Sequence, residues 1–177
     1  MVERTAVHVR RATEADLPAL EWDGEYRHFR RVYRAAMQDA RRDTRLVLVA
    51  VVEGQVVGQV FVQFDNLHLD PSGRHPTGYL YALRVRPRFR NQGVGTALMA
   101  RAEDDLRLRK FLRVVIAVAK ENAGALRLYQ RLGYKVFAED PGNWSYIDDE
   151  GELRHIFEPS FLLEKQLPAP SPGENPG

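Results

Sequence analysis

The segment Val85-Arg86-Pro87-Arg88-Phe89-Arg90-Asn91-Gln92-Gly93-Val94-Gly95-Thr96-Ala97-Leu98 holds the residue types from which an anion-binding loop is built. Gly93 and Gly95 let the main chain approach a ligand closely. The first N–H groups of a helix starting there, backed by its dipole, suit a pyrophosphate. Arg88 and Arg90 add positive charge beside it. Spacing then narrows the ligand. A Walker A loop has Lys and then Ser or Thr after its last glycine, whereas Gly95 is followed by Thr96-Ala97. A dinucleotide fingerprint has Gly or Ala three residues after the second glycine, where this chain has Leu98. Six residues, Pro87 to Gln92, also separate the strand from the first glycine. Neither nucleotide hydrolysis nor Rossmann-type binding fits.

Such a loop needs a strand before it and a helix after it. Tyr79 to Arg86 supplies the strand, with Tyr79, Tyr81, Leu83 and Val85 alternating until Pro87 ends it. The helix should run from Gly93–Gly95 to about Lys110, with Leu98, Ala102 and Leu106 on its buried side. Arg113 to Val118 is a short apolar strand, and a crossover of that length implies a parallel pair. Asn122 to Leu132 reads as a further helix that Gly133 stops. Before this block come a strand over residues 5–10 and a helix that Thr13 can cap. An amphipathic helix follows, carrying Phe29, Val32, Tyr33, Ala36, Met37 and Ala40 on one face. Leu46–Val52 and Gln55–Phe64 form a hairpin around Glu53-Gly54. After the block come strands at Tyr134–Ala138, Trp144–Ile147 and Ile156–Leu163, with Asp149-Glu150-Gly151 as a turn.

Composition removes several classes of function. The 177 residues suit one domain, and the 44% that are hydrophobic supply a real core. With no cysteine there is no disulfide, thiolate metal site or thiol nucleophile, and we expect no metal. A net charge of +2 is too small to draw nucleic acid by field alone. The opposite face of the amphipathic helix holds Arg27, Arg30, Arg31, Arg34 and Arg41 and could meet RNA or an acidic partner. A solvated face is the commoner meaning of such a pattern. No apolar run is long enough for a membrane span or signal peptide, so a soluble cytoplasmic protein, monomer or homodimer, is the expectation. The tail from 168 to 177 is rich in proline, and we expect it to be disordered.

Taken together, Leu83-x-Val85-x-Pro87, Arg90-x-x-Gly93-x-Gly95, Asn122-x-x-Ala125-x-x-Leu128-Tyr129 and Leu132-Gly133-Tyr134 resemble the GNAT superfamily of acyl-CoA-dependent N-acetyltransferases. The resemblance is strongest from Leu80 to Phe137 and compatible with the element order up to Leu163. It implies an α/β (α+β) fold: a single N-acetyltransferase domain over 1–167, with a mixed, twisted central sheet, splayed parallel strands and flanking helices. Acetyl-CoA would lie where those strands part. Backbone groups of Leu83 and Val85 would hold the pantetheine arm, and Arg90, Asn91, Gln92, Gly93, Val94, Gly95 and Thr96 the pyrophosphate.

Acyl transfer to an amine needs a neutral amine, an oxyanion donor and a proton for the departing sulfur. The resemblance implies the Leu83 backbone N–H as oxyanion donor and Tyr129 as general acid; the alternative for Tyr129 is a core aromatic beside Leu126. Asn122 matches a position that contacts the cofactor, and is also a helix N-cap. Many relatives carry Glu on the strand before the glycine loop, but Tyr79-Leu80-Tyr81-Ala82-Leu83 has no acid. Asp65, His68 and His75 are candidate bases. Tyr81, Trp144 and Tyr146 are candidates to line an acceptor pocket for a small-molecule or peptide amine. Asp148, Asp149 and Glu150 could attract that amine, or be a solvated turn. Two other readings are a non-catalytic acyl-CoA-binding module and an RNA- or ribosome-associated protein using the arginine face.

Overall fold

The computed structural model describes residues 6–65 and 74–175. In chain order the elements are β1 (His8–Arg11), α1 (Leu17–Leu20), α2 (Arg30–Arg41), β2 (Arg45–Val52), β3 (Gln55–Gln63) and β4 (Thr77–Val85). They continue with α3 (Val94–Leu108), β5 (Arg113–Ala119), α4 (Ala123–Arg131), β6 (Lys135–Asp140), β7 (Asn143–Ile147), β8 (Leu153–Phe157) and β9 (Ser160–Gln166). Seven strands form one mixed sheet in the order β1-β2-β3-β4-β5-β9-β6, and β7 and β8 form a separate ribbon. Two compact units share these elements. One is the chain up to Val62 with Ala82–Ala102 and Ile147–Glu152; the other is Gln63–Tyr81, Glu103–Tyr146 and the chain from Leu153 on.

In the first unit the β-branched runs of β2 and β3 are almost wholly buried, because both sheet faces are covered. α2 turns Tyr33, Ala36 and Met37 inward, as its periodicity requires, and Tyr33 packs against Phe61 with ring centroids 5.4 Å apart. A side chain at Gly58 of β3 would meet the Arg84 carbonyl at 3.0 Å and Val94 and Leu98 at 3.2 Å. The missing Cβ lets the start of α3 and the end of β4 press onto β3. The region after Thr13 is tighter than a regular helix: Glu14–Asp16 is a 3-10 turn leading into α1. The Thr13 N–H donates to the Asp16 carboxylate at 2.7 Å, and Arg10 donates to the same group at 2.7 and 2.9 Å.

In the second unit β4 and β5 run parallel, pairing Thr77–Leu80 with Arg113–Ile116. β5 then remains paired with β9 as far as Ala119. The alternation expected along β4 is interrupted. Leu80 is the fully buried residue, Tyr79 and Tyr81 are half-buried, and Ala82 takes a φ of +53°, a left-handed geometry uncommon for alanine. The expected single strand over 156–163 is instead two, β8 and β9. Pro159 lacks the N–H that a continuous ladder needs, and Glu158 donates its N–H back to the Gly142 carbonyl at 3.0 Å.

Helix α4 ends in a Schellman stop. Gly133 takes a φ of +95°, its N–H donates to the Gln130 carbonyl at 3.1 Å, and the Tyr134 N–H donates to the Tyr129 carbonyl at 3.0 Å. Tyr134 then anchors the stop: its hydroxyl donates to Glu103 at 2.8 Å, and Lys165 donates to the same carboxylate at 2.9 Å. Beyond Leu167, Glu174 accepts from Arg107 at 2.6 Å and from the Ser171 N–H at 2.7 Å.

One stability prediction follows from β4. A Cβ at Gly78 would stand 2.4 Å from a methyl of Leu106, which is itself fully buried. Gly78→Ala is therefore an overpacking change, expected to cost about 1–3 kcal/mol, which thermal unfolding would register as a fall of several degrees in Tm.

Candidate functional site

The first unit carries the glycine loop. Pro87–Phe89 form a 3-10 turn, closed when the Arg90 N–H donates to the Pro87 carbonyl at 3.2 Å. Arg90 also donates from Nε to the Val85 carbonyl at 2.9 Å, and Gln92 donates from Nε2 to the Arg88 carbonyl at 2.9 Å. These bonds shape the loop and leave Arg90 its remaining guanidinium donors. Asn91 and Gly93 take left-handed φ values of +59° and +84°, which turn the chain into α3 at Val94. The first helical return bond is Ala97 N–H to the Gly93 carbonyl at 3.0 Å. Val94, Gly95 and Thr96 thus occupy the first turn, where N–H groups have no intrahelical acceptor. With Arg88 and Arg90 exposed beside them, these groups have the chemistry to hold a diphosphate.

The second unit carries Asn122 and Tyr129. Asn122 caps α4, its Oδ1 accepting from the Ala125 N–H at 3.1 Å, as its alternative reading expected. Tyr129 is 5% exposed and packs edge-on to Tyr134 with centroids 6.1 Å apart. Burial, and secondarily Tyr79, pushes the Tyr129 phenol well above its ordinary pKa. Among the described residues its hydroxyl makes no hydrogen bond. Tyr79 and Tyr81 stack at 5.9 Å, and Trp144 pairs with Tyr146 at 5.4 Å on β7.

The acidic turn differs from a solvated cluster. Asp148 is buried and accepts the N–H groups of Glu150 at 3.0 Å and Glu152 at 2.8 Å. Asp149 pairs with Arg27 at 2.9 Å, while Glu150 is exposed. Two carboxylates are thus committed within the fold. Much of the arginine face is compensated in the same way, Arg30 pairing with Glu21 at 2.7 Å and Arg41 with Glu14. Asp65 and His75 are exposed, and His68 lies outside the described residues. Sequence reasoning missed the surroundings of Arg84: its guanidinium lies 4.1 Å from the Tyr26 ring centroid and donates to the Tyr33 hydroxyl at 2.6 Å. A lone arginine inside an apolar strand was the available signal.

The mixed sheet with its flanking helices is an α/β fold. The model of the acetyltransferase (GNAT) family matches residues 10–134. The chain therefore belongs to the GNAT family, whose activity is acetyl-CoA-dependent acetylation. Solved structures share the fold. The ribosomal-protein-S18-alanine N-acetyltransferase from Escherichia coli is 18% identical with a TM-score of 0.69, covering 95% of this chain and 98% of that one. The ribosomal-protein-alanine N-acetyltransferase from Brucella melitensis is 24% identical with a TM-score of 0.67, covering 90% and 99%. The PaiA N-acetyltransferase from Thermoplasma acidophilum, solved in complex with coenzyme A, is 16% identical with a TM-score of 0.66, covering 91% and 99%.

Proposed function

We propose that this protein moves the acetyl group of acetyl-CoA directly onto a primary amine. The observation that carries the reading is the open first turn of α3 behind the left-handed Asn91 and Gly93, in a chain of this family. In this reading Arg90 to Thr96 hold the pyrophosphate, Leu83 and Val85 the pantetheine arm, and Asn122 a cofactor atom or ordered water. Tyr81, Trp144 and Tyr146 line the acceptor side. The amine nitrogen first forms the C–N bond, giving a tetrahedral oxyanion, and the C–S bond then breaks as that oxyanion collapses. The Leu83 N–H stabilises the oxyanion between these events, the nitrogen gives up one proton, and Tyr129 supplies one to sulfur.

The test is acetyl-CoA-dependent thiol release with a panel of polyamines, aminoglycosides, amino acids and peptide N-termini. Turnover of at least one class supports the reading. CoA binding with no turnover across the panel would favour the non-catalytic module. The carboxylate pairing of Arg27, Arg30 and Arg41 weighs against an RNA-binding face, for which salt-dependent RNA affinity would be the contrary result.

Deprotonation is assigned to water and backbone carbonyls, since β4 has no acid and Asp65 and His75 are exposed. Asp65→Asn, His68→Gln and His75→Gln should each retain at least about a tenth of kcat/KM, because a direct base contributes about 10² to 10⁴-fold and a relay loses less. An alkylammonium with a pKa of about 10.4 is mostly charged at neutral pH, so the rate should rise with pH towards that value. A loss beyond about 10²-fold in one folded variant with normal CoA affinity would make that residue the base instead.

A further inference from the structure

We propose that Arg84, Tyr33 and Gln59 form a carboxylate-binding subsite for the acceptor, so that the amine this protein acetylates carries a carboxylate. The inference rests on the acetyl-transfer reading and narrows its substrate class. Arg84 lies on β4 between Leu83 and Val85, the two residues assigned there to the pantetheine arm.

The first observation is an uncompensated cation. The half-buried Arg84 guanidinium sits 4.1 Å from the Tyr26 ring centroid and 5.2 Å from that of Phe29, and Nη1 donates to the Tyr33 hydroxyl at 2.6 Å. No carboxylate pairs with it among the described residues. Other arginines of the same unit do have carboxylates: Arg27 pairs with Asp149, Arg30 with Glu21 and Arg86 with Asp23. A cation withdrawn from water without a counter-ion is unfavourable, and a ligand anion removes that penalty. Of the five N–H donors a guanidinium offers, one is used within the fold.

The second observation is independent. Gln59 of β3 is 1% exposed, yet neither Nε2 nor Oε1 has a hydrogen-bond partner. Its amide lies close enough to the Tyr33 hydroxyl to favour the ionised phenol slightly, without reaching hydrogen-bond geometry. A buried amide left open is an exception in folded proteins and calls for a reason. Burial raises the Tyr33 phenol above its ordinary pKa despite the Arg84 charge, so Tyr33 keeps its proton.

These groups favour one sign of ligand. Arg84, the Tyr33 O–H and Nε2 of Gln59 are donors, and a guanidinium fork matches the two oxygens of a carboxylate. The aromatic rings would suit an ammonium, but Arg84 already lies against them and would repel a second cation. Polyamines and aminoglycosides are therefore the wrong class, and amino acids and acidic peptides the right one.

The test compares thiol release from amino acids with that from their carboxamides, using the wild type, Arg84→Met, Arg84→Lys and Gln59→Leu. The wild type should prefer the carboxylate by at least about tenfold in kcat/KM, because a site with open donors rejects an analogue that leaves them unpaired. Arg84→Met should bring the ratio near one through KM, with CoA affinity unchanged, and Arg84→Lys should restore part of it. Gln59→Leu should lower the preference while raising Tm, a combination that a purely structural amide would not give. A wild-type ratio of one or less overturns the subsite, as does an equal loss on both substrate types in Arg84→Met. If the wild type binds CoA but turns over nothing, the acetyl-transfer reading fails separately. Calorimetry with N-acetyl amino acids and their carboxamides then decides the subsite: tighter carboxylate binding lost in Arg84→Met sustains it, and equal binding or none overturns it.

Discussion

Gly95→Asp is expected to leave a folded protein that has lost nearly all affinity for acetyl-CoA and CoA. Gly95 is the second residue of α3, in the turn whose N–H groups have no intrahelical acceptor. An aspartate there benefits from the helix dipole, so the helix itself should not suffer. The same carboxylate would stand where the pyrophosphate is expected, adding bulk and like charge to an anion site. Juxtaposed like charges cost several kcal/mol, and at about 1.4 kcal/mol per tenfold the dissociation constant should rise by about 10²- to 10³-fold or more. Calorimetry on the variant, with circular dichroism to establish the fold, is the measurement. Unchanged CoA affinity in a folded Gly95→Asp would remove the loop from the cofactor site and the central assignment with it.

The parts of this protein that could be read from its sequence are those governed by neighbours along the chain. Asn122 was legible as a cap because the acceptor it offers meets an N–H three residues on. Gly133 was legible as a stop because the Schellman bonds close within one turn. The glycine loop falls in the same class, since its left-handed residues and the start of α3 follow from a few adjacent positions. Pro159 carries a local signal of the same kind, since a residue without an N–H divides the apolar pattern of 156–163 into two strands.

Long-range pairings were not legible. Asp149 reads as a solvated turn residue until Arg27, 122 positions earlier, is seen to bind it. Arg84 reads only as an arginine within an apolar strand until Tyr33, 51 positions away, accepts its hydrogen bond. Gln59 gives no sign in the sequence that its amide is buried without a partner. Ala82 carries no signature either, because alanine is not a residue that ordinarily announces a positive φ. The turn of the glycine loop into α3 was therefore legible, while the surroundings of Arg84, built from contacts between distant segments, were hidden.

Tyr129→Phe should lower kcat by about 10²-fold, an ordinary loss for general acid catalysis, while CoA affinity changes little. The phenol is buried, and its raised pKa has burial as the main cause. The sign of that shift matters. It keeps Tyr129 protonated beyond the pH at which a free tyrosine ionises, about 10, so no falling limb from this group should appear below that pH. It also makes the phenol a weaker acid. An apolar environment, however, penalises a departing thiolate as well as a phenolate, so the proton still has reason to move to sulfur as the C–S bond breaks. Because the hydroxyl makes no hydrogen bond among the described residues, its removal orphans no partner there, and Phe keeps the ring that packs against Tyr134. Thermal stability should accordingly stay close to wild type, which separates a chemical role from a packing one. Single-turnover kinetics under conditions where chemistry limits the rate would read the effect directly. A kcat within about a factor of two of wild type, far below what general acid catalysis contributes, would mean that Tyr129 serves the core and that another group protonates the sulfur.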